Sequence, residues 1–313
     1  MSALYILGAL SLLVLLVLLL ERLAPLQAAR AAMAAERLRA GLRRGEAAIP
    51  GASMPYLEGG SGEPIVLLHG FGADKDHFTR VAVHLTGSYR VIAPDLPGFG
   101  EASRNPKANH SMAAQAANVL AFINQLGLRR VHIGGNSMGG FIAAEFAARY
   151  PDRVASLWLL NAPGTVAALD SDMVRQYVAT GENVLLLRTP GHFGHLLREA
   201  TERTPFLPYS VRHALGRRGH ADLALHTALL KQMHASPFLD SQYYRIEAPT
   251  LIVWGRCDKM LNPNGAEALQ AIMPASRVVL MPGVGHLPMV EAPRASADDY
   301  LSFLHSLPAG ISR

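Results

Sequence analysis

The chain opens with an uninterrupted apolar run. Residues 1–20 carry no charged side chain and include ten leucines. As an α-helix this run would span about 30 Å, the thickness of the hydrocarbon core of a bilayer. The pattern therefore predicts a single-pass transmembrane anchor over residues 1–24.

A cleaved signal peptide is the competing interpretation of this segment. No Lys or Arg precedes the run, and the run is longer than the usual apolar core of a signal peptide. Glu21, Arg22 and Pro25 stand where a cleavage site of small residues would be needed. These observations favour an anchor that is retained.

The pattern changes after the anchor. Residues 26–44 are rich in Ala, Leu and Arg, which favour helix, and we predict a basic juxtamembrane helix within residues 25–48. Its arginines suit contact with anionic lipid headgroups. A solvated helical linker explains the same composition equally well. The arginines are Arg30, Arg37, Arg39, Arg43 and Arg44.

From residue 50 onward, short apolar runs alternate with helical stretches. The runs typical of buried strands are residues 65–68, 91–93, 131–134, 154–160, 250–254 and 277–281. The helical stretches are residues 112–126, 138–149, 264–273 and 292–307. This alternation predicts an α/β fold in which helices cover both faces of a mostly parallel sheet.

One long gap interrupts this alternation. About eighty residues with helical apolar patterns separate Gly164 from the next predicted strand. A structureless loop of that length is uncommon in a compact domain. We therefore predict a helical cap over residues 165–247, inserted into a core formed by residues 49–164 and 248–313.

Composition and charge distribution exclude one class of function, nucleic-acid binding. Of the 313 residues, 50% are hydrophobic and 17% are charged, which suits a large buried core. Six Arg and two Glu in residues 1–45 carry +4 of the net charge of +5, which leaves +1 for the other 268 residues. Nucleic-acid binding needs clustered basic residues on the globular part and is therefore excluded.

Cysteine and histidine usage argues against a metal centre. The single cysteine, Cys257, excludes an internal disulfide and a cysteine-based metal cluster, and we predict a buried, unreactive thiol. His192 and His195 have a spacing that a metal could use, but no carboxylate or cysteine pattern completes the ligand set. We predict no metal and no cofactor.

The motif with the most chemical content is Gly135-Asn136-Ser137-Met138-Gly139, which joins a predicted strand to a predicted helix. A G-x-S-x-G sequence in this strand–turn–helix context is a nucleophile elbow. The glycines are needed because the turn is strained and the flanking chain packs closely. The sequence therefore predicts Ser137 as a catalytic nucleophile.

A serine nucleophile needs a base that is held by a third group. His286 lies on a loop between the last predicted strand and the last predicted helix, and Asp258 follows the preceding strand. We predict a catalytic triad of Ser137, Asp258 and His286, with Asp258 orienting the imidazole. The alternatives are a helix-capping role for Asp258 and a solvated loop position for His286.

Several segments resemble the α/β-hydrolase superfamily, and within it the bacterial lipases and membrane-anchored monoacylglycerol lipases. They are HGFGADKDHFTRVAVHL, VIAPDLPGFGEASR, HIGGNSMGGFIAAEFAARYPDRV and GVGHLPMVEAP. The order Ser137, Asp258, His286 is also that of the superfamily. An apolar anchor followed by such a hydrolase is similar to membrane-bound bacterial phospholipases A. The resemblance covers residues 64–303 and implies carboxylic ester hydrolysis through an acyl-enzyme on Ser137.

The same resemblance implies an oxyanion hole. One donor in such hydrolases is the residue after the nucleophile, and the other follows an earlier strand, here residues 65–68. We therefore predict that the backbone N–H groups of Met138 and Phe71 stabilise the oxyanion. His69 is predicted to order its loop, and residues 95–100 to shape the rim of the substrate cavity.

An anchor next to a hydrolase with an apolar cap fits a lipid substrate. We predict a membrane phospholipid or a glyceride as substrate, with a fatty acid as product. Apolar cap residues would line an acyl tunnel or, alternatively, form the cap's own small core. The predicted substrate-binding residues are Leu185, Phe193, Leu197, Phe206 and Leu207.

Other functions share some of these features. Hydrolases that cleave C–C bonds in ring-fission products share the GNSMGG elbow, but they typically carry Trp after the catalytic His, where this chain has Leu287. A small-ester esterase is a further alternative. A non-catalytic binding module would require a broken triad, and all three triad residues stand in this sequence.

The membrane side and the oligomeric state are separate predictions. The resemblance to exported lipases implies a bacterial inner-membrane protein with a periplasmic catalytic domain. The arginines after the span argue for the opposite orientation under the positive-inside rule. A homodimer through a small-residue face of the anchor, with Gly8, Ala9 and Ser11, is a further hypothesis.

Overall fold

The computed structural model describes residues 2–243 and 245–308. Two helices come first, α1 (Ser2–Leu23) and α2 (Pro25–Arg39). Within α1, the segment Tyr5–Leu23 is long and apolar enough to cross a membrane, with a mean hydropathy of 2.4 and none of it buried against the rest of the protein. This is the surface that a membrane-spanning helix presents to lipid.

Among the described residues, eight strands form one sheet at the centre of the fold. Its strands are β1 (Arg43–Ile49), β2 (Ala52–Gly59), β3 (Pro64–Leu68), β4 (Arg90–Pro94), β5 (Val131–Asn136), β6 (Val154–Leu160), β7 (Thr250–Gly255) and β8 (Ser276–Met281). Their order in the sheet is β1-β2-β4-β3-β5-β6-β7-β8. β2 pairs antiparallel with β1 and β4, and all other neighbours are parallel, so the sheet is mostly parallel, as predicted.

Helices cover the sheet and form the cap. Around the sheet lie α3 (Thr79–Ala82), α4 (Met112–Gln125), α5 (Met138–Arg149), α11 (Gly265–Ile272), α12 (Pro288–Glu291) and α13 (Pro293–Ser306). Between β6 and β7 lie α6 (Asp172–Thr180), α7 (His192–Ala200), α8 (Tyr209–Ala221), α9 (Leu223–His234) and α10 (Leu239–Gln242). The helices of the second group fall within the residues predicted to form the cap.

The juxtamembrane helix is shorter than predicted, which corrects the boundary at residue 48. Gly41 follows α2 with a φ of 65°, and its N–H donates to the carbonyl of Leu38. The N–H of Leu42 donates to the carbonyl of Arg37 at 2.9 Å, which completes a Schellman motif and ends the helix. Residues 43–48 therefore belong to β1, paired with β2 at the edge of the sheet.

Apolar side chains pack on both faces of the sheet. The strands β5, β6 and β7 are buried along their whole length, as expected for strands covered on both sides. One face packs against α4, α5 and α11, and the other against α3 and α13. On the second face the ring of Tyr300 stacks on Trp158 with centroids 4.2 Å apart.

The membrane-proximal helices pack on the cap. The Glu21 carboxylate at the end of α1 accepts hydrogen bonds from the Ser210 N–H at 2.8 Å and the Ser210 hydroxyl at 2.7 Å. It thereby satisfies a free donor in the first turn of α8. The Arg22 guanidinium lies over the Tyr209 ring, 4.9 Å from its centroid. α2 also lies along α8, so the anchor, α2 and the cap are joined.

Candidate active site

Ser137 stands on a sharp turn between β5 and α5. Its φ of 53° and ψ of −124° are strained for a non-glycine residue, at a cost of about 1–3 kcal/mol. The turn is also tightly packed, because a Cβ at Gly139 would lie 2.0 Å from the Leu68 carbonyl oxygen. Glycine is therefore required there, and the local geometry is that of a nucleophile elbow.

Asp258 and His286 are joined by a buried hydrogen bond. The Nδ1 atom of His286 lies 2.8 Å from Oδ2 of Asp258, and the two side chains are 4% and 0% exposed. Since a carboxylate only accepts hydrogen bonds, Nδ1 is the ring nitrogen that donates, and in the neutral imidazole this leaves the lone pair on Nε2. Oδ1 of Asp258 accepts from the N–H groups of Met260 at 2.8 Å and Leu261 at 3.1 Å. The imidazole is thus held in the tautomer that a general base needs.

Two asparagines that the sequence analysis did not single out support this pair. Asn161, at the end of β6, donates from Nδ2 to Oδ2 of Asp258 at 2.6 Å, and its backbone has a φ of 45°. Asn136 precedes the nucleophile and donates to the backbone carbonyl of His286 at 2.9 Å. Both asparagines are fully buried at the carboxyl ends of parallel strands, the sheet edge that carries Ser137 and Asp258. That shared edge is the signal that could have identified them.

A third unpredicted residue, Glu291, fixes the loop that carries His286. Its carboxylate accepts hydrogen bonds from the Gly285 N–H at 3.0 Å and the Leu287 N–H at 3.3 Å, on either side of the histidine. The same carboxylate accepts from the Glu202 N–H of the cap at 2.8 Å. Glu291 therefore joins the histidine loop to the cap.

The two predicted oxyanion donors lie beside the nucleophile. Phe71 lines the same cavity as Ser137, and Met138 is the first residue of α5. Within the described part of the chain, neither the Phe71 N–H nor the Met138 N–H donates a hydrogen bond. Two unpaired donors next to a nucleophile can stabilise a negatively charged tetrahedral intermediate.

His69 and Asp95 occupy structural positions. His69 is fully buried, with Nδ1 2.8 Å from the Gly70 carbonyl and Nε2 accepting from the Leu96 N–H at 3.0 Å. Burial lowers the pKa of His69, so it is a neutral residue that orders its loop. Asp95 accepts from the Lys75 ammonium at 2.7 Å and the Glu101 N–H at 2.8 Å, which fixes its turn.

Cys257 and the cap histidines His192 and His195 are all at least partly accessible to solvent. Cys257 is a free thiol, but it is half-buried rather than buried, because it lies on the loop that leaves β7. His192 and His195 are exposed on α7. Among residues 2–243 and 245–308, no group of three His, Cys, Asp or Glu side chains could hold a metal ion.

A cavity of about 220 Å³ lies between the cap and the triad. Ser137 and His286 line it on the catalytic side, and Met33 of α2 reaches it from the membrane-proximal side. Its apolar wall comes from the cap residues Leu185, Leu187, Phe193, Leu196, Leu197 and Leu207. A chamber with one polar end and apolar walls suits a substrate with a reactive head and an alkyl chain.

Phe206 departs from the predicted tunnel lining. Its side chain is 83% exposed and lies outside the cavity, while the neighbouring Pro205 and Leu207 line it. The Arg80 guanidinium donates to the Phe206 carbonyl at 2.9 Å, which fixes the backbone of this loop. An apolar residue in a loop can face either way, and sequence pattern alone does not set that direction.

Two further histidines lie on the cavity wall. Burial lowers the pKa of His226, in α9, to about 4 and that of His77 to about 3. Both are therefore neutral at physiological pH and place no positive charge beside His286. The His226 ring packs edge-on against Phe71 with centroids 5.3 Å apart, which ties the cap to the oxyanion loop.

Comparison with known proteins identifies the family. Residues 63–293 match the family described as alpha/beta hydrolase fold. The chain belongs to this family. It is 36% identical to Lipase 1 of Psychrobacter immobilis over 267 residues, which cover 83% of each protein, and 30% identical to monoacylglycerol lipase abhd6-B of Xenopus laevis, with 79% and 77% covered. The predicted superfamily membership is confirmed.

A solved structure is similar over nearly the whole chain. It is described as a membrane phospholipase A, a novel bacterial virulence factor, and it has 37% sequence identity and a TM-score of 0.87. The match covers 97% of this chain and 98% of that chain. Together with the lipase relatives, this likeness supports the predicted hydrolysis of lipid esters. With the exposed apolar helix α1, it also points to association with a membrane.

Proposed function

We propose that the protein is a membrane-anchored serine hydrolase that releases fatty acids from glycerolipids or glycerophospholipids. The observation that carries this proposal is the buried His286–Asp258 hydrogen bond at the polar end of an apolar cavity that both His286 and Ser137 line. A lipid ester has the matching form, with an ester group attached to an alkyl chain.

In the proposed mechanism, Ser137 Oγ attacks the ester carbonyl and gives its proton to Nε2 of His286. The resulting imidazolium protonates the leaving alkoxide, and an acyl-enzyme remains on Ser137. Water then attacks the acyl-enzyme with His286 again as base, which releases the fatty acid. Asp258 orients and stabilises the imidazolium without taking its proton. The N–H groups of Phe71 and Met138 stabilise the oxyanion, each by about 3–4 kcal/mol.

The exposed apolar helix α1 and the resemblance to exported bacterial lipases support a proposed membrane arrangement. Residues 1–24 span the bacterial inner membrane, with the catalytic domain on the periplasmic side. Because Glu21 is bonded to the cap and Met33 lines the cavity, lipid reaches the site from a bilayer held close to it. A protease added to the outside of spheroplasts should cut the catalytic domain, and protection of that domain would contradict the orientation.

A homodimer through α1 is a separate hypothesis. Gly8 has open space where a side chain would stand, so a second helix could approach there. Size measurement in mild detergent tests it, and a monomer at every working concentration would contradict it.

The test of the proposed activity compares purified full-length protein with Ser137→Ala. Fatty acid release is measured from diacyl phospholipid, lysophospholipid and monoacylglycerol. Release that depends on Ser137 supports the proposal, and the preferred substrate distinguishes a phospholipase A from a monoacylglycerol lipase. Absence of release from all three contradicts it and favours C–C bond hydrolysis, which a ring-fission product would test.

A further inference from the structure

Three consecutive charged residues follow the oxyanion loop, and each binds a different part of the molecule. Asp74 pairs with Arg218 of the cap helix α8, and Asp76 pairs with Arg37 of the membrane-proximal helix α2. Lys75, between them, pairs with Asp95 of the core at 2.7 Å. The loop that offers the Phe71 N–H is thus tied to the cap, the core and α2.

The ion pair between Arg37 and Asp76 is bidentate. Nε and Nη2 of Arg37 donate to the two carboxylate oxygens of Asp76 at 2.6 and 2.5 Å. The side chains are only 15% and 13% exposed. The hydrogen bond to Asp76 is the largest cause that raises the pKa of Arg37. A two-point bond of this kind fixes orientation as well as distance, which a lysine cannot do.

The pair between Arg218 and Asp74 lies on the cavity wall itself. Nη2 of Arg218 is 2.6 Å from Oδ2 of Asp74, whose side chain is 6% exposed. Burial alone would raise the pKa of Asp74, but Arg218 and Lys75 outweigh it and hold that pKa below its usual range. Arg37 and Arg218 are each paired with a carboxylate, so the positive charge of each guanidinium is already neutralised. Neither arginine is therefore available to bind the phosphate of a lipid headgroup.

We propose that Arg37 and Arg218 are positioning residues that hold the Phe71 N–H where the oxyanion forms. The proposal rests on the proposed acyl transfer. Oxyanion donors act only when they are preorganised, and a displacement of about 1 Å can cost about 100-fold in rate. Because both arginines stand on helices that pack on each other, the anchor-side helix and the cap control the same catalytic loop.

The first measurement uses the full-length protein with Arg37→Met and Arg218→Met. Arg39→Met and Arg217→Met are matched controls, because these neighbours are exposed and form no hydrogen bond or ion pair within the described residues. With a soluble short-chain ester, the two test variants should lose about 10- to 100-fold in kcat with little change in KM. The controls should match the wild type.

The second measurement distinguishes a displaced Phe71 N–H from a general distortion of the substrate cavity. An alkyl trifluoromethyl ketone forms an oxyanion on the serine, whereas the corresponding alkyl alcohol occupies the cavity without forming one. The test variants should bind the ketone at least tenfold more weakly and the alcohol unchanged. The variants Arg37→Lys and Arg218→Lys, which keep the charge, should show smaller losses.

Two results would overturn the inference while leaving the proposed function intact. One is equal kcat in the test and control variants, and the other is an equal loss of ketone and alcohol binding. If the wild-type protein itself hydrolyses no ester, the proposed function fails first, so the two failures can be told apart.

Discussion

Removing the Asn161 amide should weaken catalysis although Asn161 does not touch the substrate cavity. Its Nδ2 donates to Oδ2 of Asp258 at 2.6 Å, the same oxygen that accepts from His286. Without it, Asp258 loses a donor that fixes the carboxylate plane, and the imidazole is oriented less firmly. We expect a loss in kcat/KM with the triad residues unchanged.

The size of the loss follows from the type of bond. A hydrogen bond to a charged group contributes about 1.5–3 kcal/mol, which corresponds to about 10- to 150-fold in kcat/KM if the whole contribution is felt in the transition state. The backbone adds a second effect, because the φ of Asn161 is 45°. Alanine in this region costs about 1–2 kcal/mol, whereas glycine adopts it readily.

The two effects can be separated with Asn161→Gly and Asn161→Ala. Both variants lose the amide and should lose kcat/KM to a similar extent on a soluble nitrophenyl ester. Asn161→Ala should in addition unfold at a lower temperature than Asn161→Gly. The reasoning is refuted if Asn161→Gly retains kcat/KM within about twofold of the wild type.

Three further predictions follow from burial, packing and cavity geometry. Between pH 7.5 and 5.5, the contribution of His226 to the free energy of unfolding should fall by about 1 kcal/mol, because burial lowers its pKa to about 4, below the ordinary value of about 6.5 for histidine, and the unfolded state therefore binds more protons. Urea unfolding at both pH values measures this, and His226→Gln should show a smaller difference. Leu197→Phe should shift ester preference towards shorter acyl chains while Phe206→Ser leaves it unchanged; equal chain-length profiles would contradict the assigned cavity wall. Gly139→Ala should prevent formation of the elbow, since its Cβ would meet the Leu68 carbonyl oxygen at 2.0 Å, and a variant with wild-type thermal stability would refute this.

Most of the strands that the sequence predicted lie inside the sheet, and the one at its edge, β8, is only partly buried. Those at the centre of the sheet are buried on both faces, so they appear as continuous apolar runs. β1 lacks that signal, because only Ala47 and Ile49 of its residues are buried and Arg43 and Arg44 are exposed at the sheet edge. From its composition, an Arg-rich edge strand that follows a helix looks like a continuation of that helix. The pairing of β1 with β2 shows that this segment is a strand.

Some residues of the candidate site can be predicted from short sequence motifs, whereas others depend on contacts between parts of the chain that are far apart in sequence. The three predicted triad residues each follow a strand within a short motif, so the sequence alone predicts them. They are Ser137, Asp258 and His286. Asn161 donates a hydrogen bond to Asp258, which is 97 residues away in the sequence, and no local sequence pattern predicts that contact. The ion pairs of Arg37 and Arg218 likewise arise only when α2, the cap and the oxyanion loop are packed together.

Covalent trapping of the nucleophile tests the central claim most directly. A nitrophenyl alkylphosphonate should react with the full-length protein, release one nitrophenolate per chain, and leave an adduct that peptide mapping locates on Ser137. Ser137→Ala should remain unlabelled, and His286→Gln should react far more slowly because the serine then lacks its base. Labelling at another residue, or equal labelling of Ser137→Ala, would contradict the account.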